Sequence, residues 1–260
     1  MRSKEVIAYV TQWLSDYLEE SRSYGFVVGV SGGIDSAVAS ALAARTGKPL
    51  LAVEMPIHQS PAHVGRARDH IEKLKRQYEQ VTSVEVELTS VFDKLVELLP
   101  EGTDAELTEI SLVNTRARLR MTALYYFAAR DRRLVVGTGN KVEDFGVGFF
   151  TKYGDGGVDL SPIADLTKTE VYALGPELGV EDAILDAPPT DGLWGDDRTD
   201  EEQLGAGYPE LEWAMSFSGD PDLLEARERD VLEIYRCLHA ANRHKMEPIP
   251  VCEIPDALRE

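Results

Sequence analysis

The sequence predicts an α/β fold, a doubly wound parallel sheet in a single domain, and three observations predict it. Short apolar runs at 26–30, 50–54 and 134–136 alternate with longer segments of helical periodicity. Two of those runs pass directly into small polar residues, Ser31-Gly32-Gly33 and Gly137-Thr138-Gly139. Strand C-termini of this kind are where an open parallel sheet holds its ligands. A length of 260 residues with 43% hydrophobic content gives one large core, so the expected domain covers 1–260.

The elements follow in order. Val6, Ile7, Val10, Trp13, Leu14, Tyr17 and Leu18 recur at helical spacing and open the chain with an amphipathic helix. A strand at 26–30 leads into a helix at 35–45, and 50–54 reads as a second buried strand. Ser60-Pro61 starts a charged helix running to about 80. Val84, Val86 and Leu88 alternate as a third strand, and Thr89 caps a short helix to 99. A long helix at 104–130 precedes the fourth strand, 134–136. In the C-terminal third, the Pro, Gly and Asp content of 186–200 forbids a regular element. The length of that stretch and its Leu193-Trp194 pair predict a lid over 186–205. A helix at 221–243 and the tail Pro248-Ile249-Pro250 close the chain.

Charge and cysteine usage exclude several classes. Net charge is −19, from 27 Lys and Arg against 46 Asp and Glu. That balance disfavours nonspecific attraction to nucleic acid or an anionic membrane, and any phosphate site must be a local basic pocket. Cys237 and Cys252 form neither a disulfide framework nor a metal-ligand spacing. With no apolar signal core and no 18-residue apolar run, a cytoplasmic location is expected.

The stretch 26–39 carries the chemistry. An apolar strand runs into Ser31-Gly32-Gly33 and then into a helix beginning near Asp35 and Ser36. The glycines let the backbone turn tightly and bring N–H groups toward an anion, and the positive end of the new helix faces the same point. No Gly-Lys-Ser/Thr follows, so this is not a Walker A loop. The form Ser-Gly-Gly-x-Asp-Ser resembles the PP-loop ATP pyrophosphatases, which cut ATP between its α and β phosphates. The resemblance implies ATP contacts from Gly29, Val30, Ser31, Gly32, Gly33, Ile34, Asp35 and Ser36.

Further segments narrow the resemblance. Gly137-Thr138-Gly139-Asn140-Lys141-Val142-Glu143 follows a strand, and the run Phe149-Phe150-Thr151-Lys152-Tyr153-Gly154-Asp155-Gly156-Gly157 leads to Asp159. With Leu166-Thr167-Lys168, Pro189-Thr190-Asp191 and His244-Lys245, nearly the whole chain resembles the NAD synthetases. Asp35 and Glu143, at the ends of two strands, suit Mg²⁺ held through one or two oxygens while ATP phosphates complete the octahedron. The resemblance implies the same pair. It also implies ATP contacts from Thr138, Lys168 and Thr190, and deamido-NAD contacts from Arg118, Lys152, Asp159, His244 and Lys245.

Read from the residues alone, several of these stay open. Thr138 suits a helix cap as well as a ligand. Thr167 and Glu170 form a capping box that puts Lys168 in a first helical turn, where a cation opposes the dipole unless an anion lies near. Arg116 and Arg120 stand one turn apart, forming either a solvated basic face or an anion site, with Arg118 on another face. Phe149 and Phe150 suit either the core or stacking on a pyridine ring. The spacing from Thr138 to Lys152 is one residue longer than in the commonest bacterial form, so 144–148 receive no role. The segment 55–59 stands where the family contacts adenosine, and its residues are too variable to transfer.

The reaction implied is ATP-dependent amidation of deamido-NAD by ammonia through an acyl-adenylate, with AMP and pyrophosphate released, by a homodimer. No residue reads as a covalent catalyst, so Asp35, Glu143 and Lys168 would act by charge and position. The alternatives are another PP-loop adenylating ligase and a catalytically silent nucleotide-binding module. A tRNA-thiolating enzyme would want reactive cysteines and a basic surface, and a silent module would have lost Asp35, Glu143 or Lys168.

Overall fold

The computed structural model describes residues 1–100, 102–190 and 199–259. Four strands, β1 (Gly25–Gly29), β2 (Leu50–Glu54), β3 (Val81–Glu85) and β4 (Arg133–Val136), form a parallel sheet in the order β3-β2-β1-β4. Phe26 stands opposite Leu50 on one side and Leu134 on the other. The chain steps outward from β1 to β2 to β3, then returns past β1 to lay down β4. This reversal opens a crevice beyond the C-termini of β1 and β4, the topological switch point of the sheet. Ser31 and Thr138 sit there.

Parallel pairing requires a crossover between strands, and α2 (Ile34–Arg45) and α3 (Pro61–Gln77) supply the outward ones. They share one face of the sheet with α1 (Ser3–Ser21) and α6 (Lys168–Leu178), around Leu14, Phe26, Val28, Leu42, Ile71 and Leu174. Since β4 is reached in the opposite direction, its crossover falls on the other face. There α4 (Thr89–Leu98) and α5 (Ala105–Asp131) cover Val27, Leu51, Val53 and Val135 with Phe92 and Phe127. Helix α2 is buried on nearly every side, and its alanines at 37, 39, 41, 43 and 44 let its neighbours approach closely.

After β4 the backbone widens into a π-helical turn, Val142–Val147, whose Gly148 N–H reaches back to the Glu143 carbonyl. A third apolar cluster packs this turn against α9 (Tyr208–Ser216) and α10 (Ala226–Met246) through Val142, Val147, Leu211 and Leu232. Among the described residues no helix is long and apolar enough to cross a membrane.

The structure moves four expected boundaries. The third strand is 81–85 rather than 84–88, because parallel pairing starts at Leu50 opposite Val81. Val86 and Leu88 still donate to the Glu54 and Pro56 carbonyls, at 2.8 and 3.0 Å, but as an extended tail that turns into α4. Helix α3 stops at Gln77, where Tyr78 becomes extended. The helix expected at 221–243 is a 3₁₀ turn at Pro221–Leu223 followed by α10 from Ala226, started by a Glu225/Glu228 capping box. The expected 186–205 loop gives way to α8 (Asp200–Leu204), after α7 (Asp182–Leu185), because Thr199 and Glu202 form a capping box. Residues 191–198 of that loop, Trp194 included, lie outside the described residues.

Candidate active site

The cavity at the switch point is lined by the ends of β1 and β4, the start of α2, α6 and the segment 187–190. Of the residues expected to meet ATP, Gly29, Val30, Ser31, Gly33, Ile34, Asp35, Ser36, Thr138, Lys168 and Thr190 line it, as does Glu143, expected beside Asp35 at the metal. Gly32 does not; it faces α3. With φ at +84°, a Cβ there would lie 2.6 Å from the His63 carbonyl oxygen. Gly32→Ala is therefore expected to lower stability by about 1–2 kcal/mol for the left-handed backbone alone and to weaken ATP binding by distorting the loop. Thermal melts with and without ATP read both effects, and a variant indistinguishable from the parent would show the loop to be plastic.

The two serines shape the loop. Ser36 Oγ accepts the Ser31 N–H at 3.1 Å and donates to the Gly33 carbonyl at 3.0 Å, while Ser31 Oγ accepts the Gly33 N–H at 3.2 Å. Gly33 is the N-cap of α2, and no side chain caps that end. The first N–H groups of α2 thus point into the cavity edge as an anion site.

Three chain segments converge on one charge cluster. Lys168 Nζ donates to Asp35 Oδ2 at 2.6 Å and to Glu143 Oε1 at 2.9 Å, and its side chain is only 4% exposed. Burial favours loss of the lysine proton, but the two carboxylates outweigh it and hold Lys168 above the usual lysine range. Burial pushes the Asp35 carboxyl upward against the pull of Lys168. The capping box at Thr167 and Glu170 is present, and the anions that offset the helix dipole at Lys168 are Asp35 and Glu143.

Residues that the sequence reading gave no role complete the cluster. Buried Asn140 accepts the Val142 and Glu143 N–H groups, each at 3.1 Å, and donates Nδ2 to Asp35 Oδ1 at 3.2 Å. One amide thereby starts the π-turn and ties it to α2. The Tyr208 hydroxyl donates to Glu143 Oε1 at 2.5 Å and lies 3.1 Å from Asp200 Oδ2, and Lys168 Nζ sits 4.7 Å from the Tyr208 ring centre. Burial, then Glu143 and Asp200, push the Tyr208 phenol upward. Burial also lifts the Asp144 carboxyl well above the usual range, reinforced by Glu143.

These carboxylates outnumber the one ammonium among them, and every donor is an oxygen. Such a set has the chemistry that suits a hard divalent cation. Among the described residues no group of three or more His, Cys, Asp or Glu side chains is arranged to hold a metal ion.

The residues expected at deamido-NAD divide. Lys152 Nζ donates to the His244 carbonyl at 2.6 Å, Arg118 Nη2 to the Lys152 carbonyl at 3.4 Å, and Lys245 Nζ to the Phe150 carbonyl at 2.7 Å and to that of Gly148. Arg118, Lys152, His244 and Lys245 thus gather where α5, the glycine-rich loop and the end of α10 meet. Burial depresses the Lys245 ammonium. Asp159 stands apart: its carboxylate accepts the Val135 N–H at 2.8 Å and the Tyr125 hydroxyl at 3.0 Å, clamping β4 to α5. Arg116 lies 4.8 Å over the Phe92 ring, and Arg120 donates to the Met55 carbonyl and to Gln59. Arg120 also lines the cavity, so the pair is not a plain solvated face. Phe149 packs in the third cluster and lines the cavity, whereas Phe150 lies under Lys245.

Comparison with known proteins agrees with this geometry. The NAD synthase family model matches residues 6–247. An NH(3)-dependent NAD(+) synthetase from Alkaliphilus metalliredigens is 40% identical over 250 residues, covering 93% of this chain and 96% of that protein. Among solved structures, an NMN synthetase from Francisella tularensis superposes with a TM-score of 0.86 at 31% identity, covering 98% of this chain and all of that one. An NH3-dependent NAD synthetase from Campylobacter jejuni gives 0.77 at 26% identity, over 97% of this chain and all of that one. With the family model and close relatives spanning nearly its whole length, the chain belongs to the NAD synthase family.

Proposed function

We infer that this protein makes NAD by amidating deamido-NAD with ammonia at the expense of ATP, as residues 1–260 acting as one catalytic unit. The observation that carries the site assignment is Lys168 held between Asp35 and Glu143 at the mouth of the PP-loop. In this reading the loop N–H groups and the start of α2 take the ATP phosphates, with Thr138 and Thr190 on the cavity wall. Mg²⁺ bound by Asp35 and Glu143 would offset phosphate charge. The nicotinate carboxylate attacks the α-phosphorus, the α–β bond breaks with its electron pair on pyrophosphate, and ammonia then displaces AMP from the acyl-adenylate. Lys168, freed from its carboxylates when phosphate enters, supplies positive charge near the α-phosphate. Nothing in this scheme needs a covalent catalyst; Cys237 and Cys252 are both exposed and lie away from the cavity.

The cluster of Arg118, Lys152, His244 and Lys245 would hold the dinucleotide, and Asp159 would act through the β4 clamp. Side chains exposed on or beside α4 and α5, Val91, Leu98, Leu99, Leu107 and Ile110, support a homodimer. Two free cysteines support a reducing cytoplasm.

The experiment supplies ATP, Mg²⁺ and ammonium and follows AMP, pyrophosphate and amidated product. Turnover at fixed total ammonium should rise with pH as the NH₃ fraction grows, and ammonia-free glutamine should support little. Equal rates with glutamine would overturn the ammonia assignment. Because the Francisella neighbour is an NMN synthetase, nicotinate mononucleotide is offered beside deamido-NAD, and a preference for the mononucleotide would overturn the substrate.

A further inference from the structure

The described walls of the nucleotide cavity carry three lysine and arginine side chains, Arg66, Arg120 and Lys168. Two are committed within the protein. Lys168 lies between Asp35 and Glu143, and Arg120 donates to the Met55 carbonyl at 2.9 Å and to Gln59 Oε1 at 2.7 Å. Arg66 differs. It stands on α3, and its Nε donates to the carbonyl of Gly32, inside the phosphate loop, at 3.1 Å. It takes part in none of the ion pairs among the described residues, although the chain holds 46 carboxylate side chains against 27 Lys and Arg.

The loop and the helix fix where this guanidinium is rooted. A Cβ on Gly32 would lie 3.0 Å from the Ala67 nitrogen and 3.2 Å from the Arg66 Cβ, so the first turns of α3 press on the loop. A guanidinium carries five N–H donors in one plane. The Nε bond uses one of them and leaves four on the two Nη groups of a side chain that lines the cavity. Arg66, on the crossover that follows β2, reaches the loop from one side, whereas Lys168 and Glu143, which follow β4 in the chain, approach from the other. An arginine held against a phosphate loop with no carboxylate of its own is suited to bidentate contact with phosphate oxygens.

We propose that Arg66 is a catalytic residue of the adenylation step, gripping the β- and γ-phosphates of ATP and the pyrophosphate they become. The proposal rests on the ATP-dependent reading above. In that step the substrate carboxylate oxygen bonds to the α-phosphorus and the bond from the α-phosphorus to the bridging oxygen breaks. The electron pair stays on pyrophosphate, and the Arg66 Nη groups take up the charge that develops there.

Calorimetric titration of ATP, pyrophosphate and AMP, each with Mg²⁺, into the parent chain, Arg66→Met and Arg66→Lys tests the assignment. Loss of a charged hydrogen-bonding group predicts about 10- to 100-fold weaker ATP and pyrophosphate binding in Arg66→Met. AMP, which lacks both phosphates, should stay within about twofold, and Arg66→Lys should recover part of the loss. AMP weakened as much as ATP would make Arg66 a tether for the loop and overturn the proposal, as would unchanged ATP and pyrophosphate binding. Should Arg66→Met unfold, Arg66→Gln is read with the same three ligands. A parent chain that binds all three but forms no NAD would overturn the functional reading, and the titrations would still decide the role of Arg66.

Discussion

Asp35→Asn and Glu143→Gln are expected to slow pyrophosphate release by about 10²- to 10³-fold, because each removes a full charge from the oxygen set facing the phosphates. Both substitutions keep the side-chain shape and one carbonyl oxygen, so the hydrogen bonds from Asn140 and Tyr208 retain an acceptor. Deamido-NAD binding, titrated without ATP, should be nearly unchanged, since Arg118, Lys152, His244 and Lys245 gather in a different part of the molecule. Single-turnover pyrophosphate release and calorimetry together separate the two effects. If Glu143→Gln released pyrophosphate normally but lost dinucleotide affinity, the metal assignment would fail.

Lys168→Met should produce the largest loss of stability. Asp35 and Glu143 have side chains only 18% and 14% exposed, and without the ammonium they would face each other uncompensated. Breaking a buried pair from one side costs about 3–5 kcal/mol, on the order of 10 °C in melting temperature for a chain of this size. Adding Glu143→Gln to Lys168→Met should recover part of the loss, because one of the stranded charges is then gone. The pH dependence has a definite sign. The Asp35 carboxyl is already pushed up by burial, and removing Lys168 raises it further. The folded chain then takes up a proton at a pH where the unfolded chain does not, so the deficit is largest near neutrality and shrinks as pH falls. A Lys168→Met chain that melts with the parent at neutral pH would show that the three groups are not energetically coupled.

Local signals made much of this legible in the sequence. The strand 50–54 and the helix after Gly33 are continuous apolar runs bounded by turn residues, and Thr167 with Glu170 marks its helix start without ambiguity. Errors arose where tertiary pairing overrides local pattern. Alternation at 84, 86 and 88 looks like a strand, but the register against β2 is set by Val81 opposite Leu50. The motif segment that holds Glu143 could be read in sequence, whereas the π-turn that carries it depends on Asn140 folding back on the Val142 and Glu143 amides. Tyr208 and Asp200 belong to no motif: Tyr208 reaches Glu143 from 65 positions away and Asp200, at the start of α8, meets the same Tyr208 hydroxyl, a proximity that only packing creates. The resemblance puts Asp159 at the dinucleotide, and no local pattern shows that its carboxylate also accepts the Val135 N–H and so ties β4 to α5.

The reversal of the sheet at β1 and β4 sets an order of events for the growing chain. Asp35 and Asn140 are 105 positions apart and Asp35 and Lys168 are 133, so their contacts close long loops. The β1–β2–β3 half forms from nearer neighbours, and the loop-closure entropy of the return to β4 must be met before Lys168 finds either carboxylate. The charge cluster is therefore expected to close late in folding, after the β1–β2–β3 half. Damage to the charge cluster should then leave folding speed nearly untouched and show instead as faster unfolding, so that a defective catalyst would be made as readily as a sound one and differ in how long it lasts.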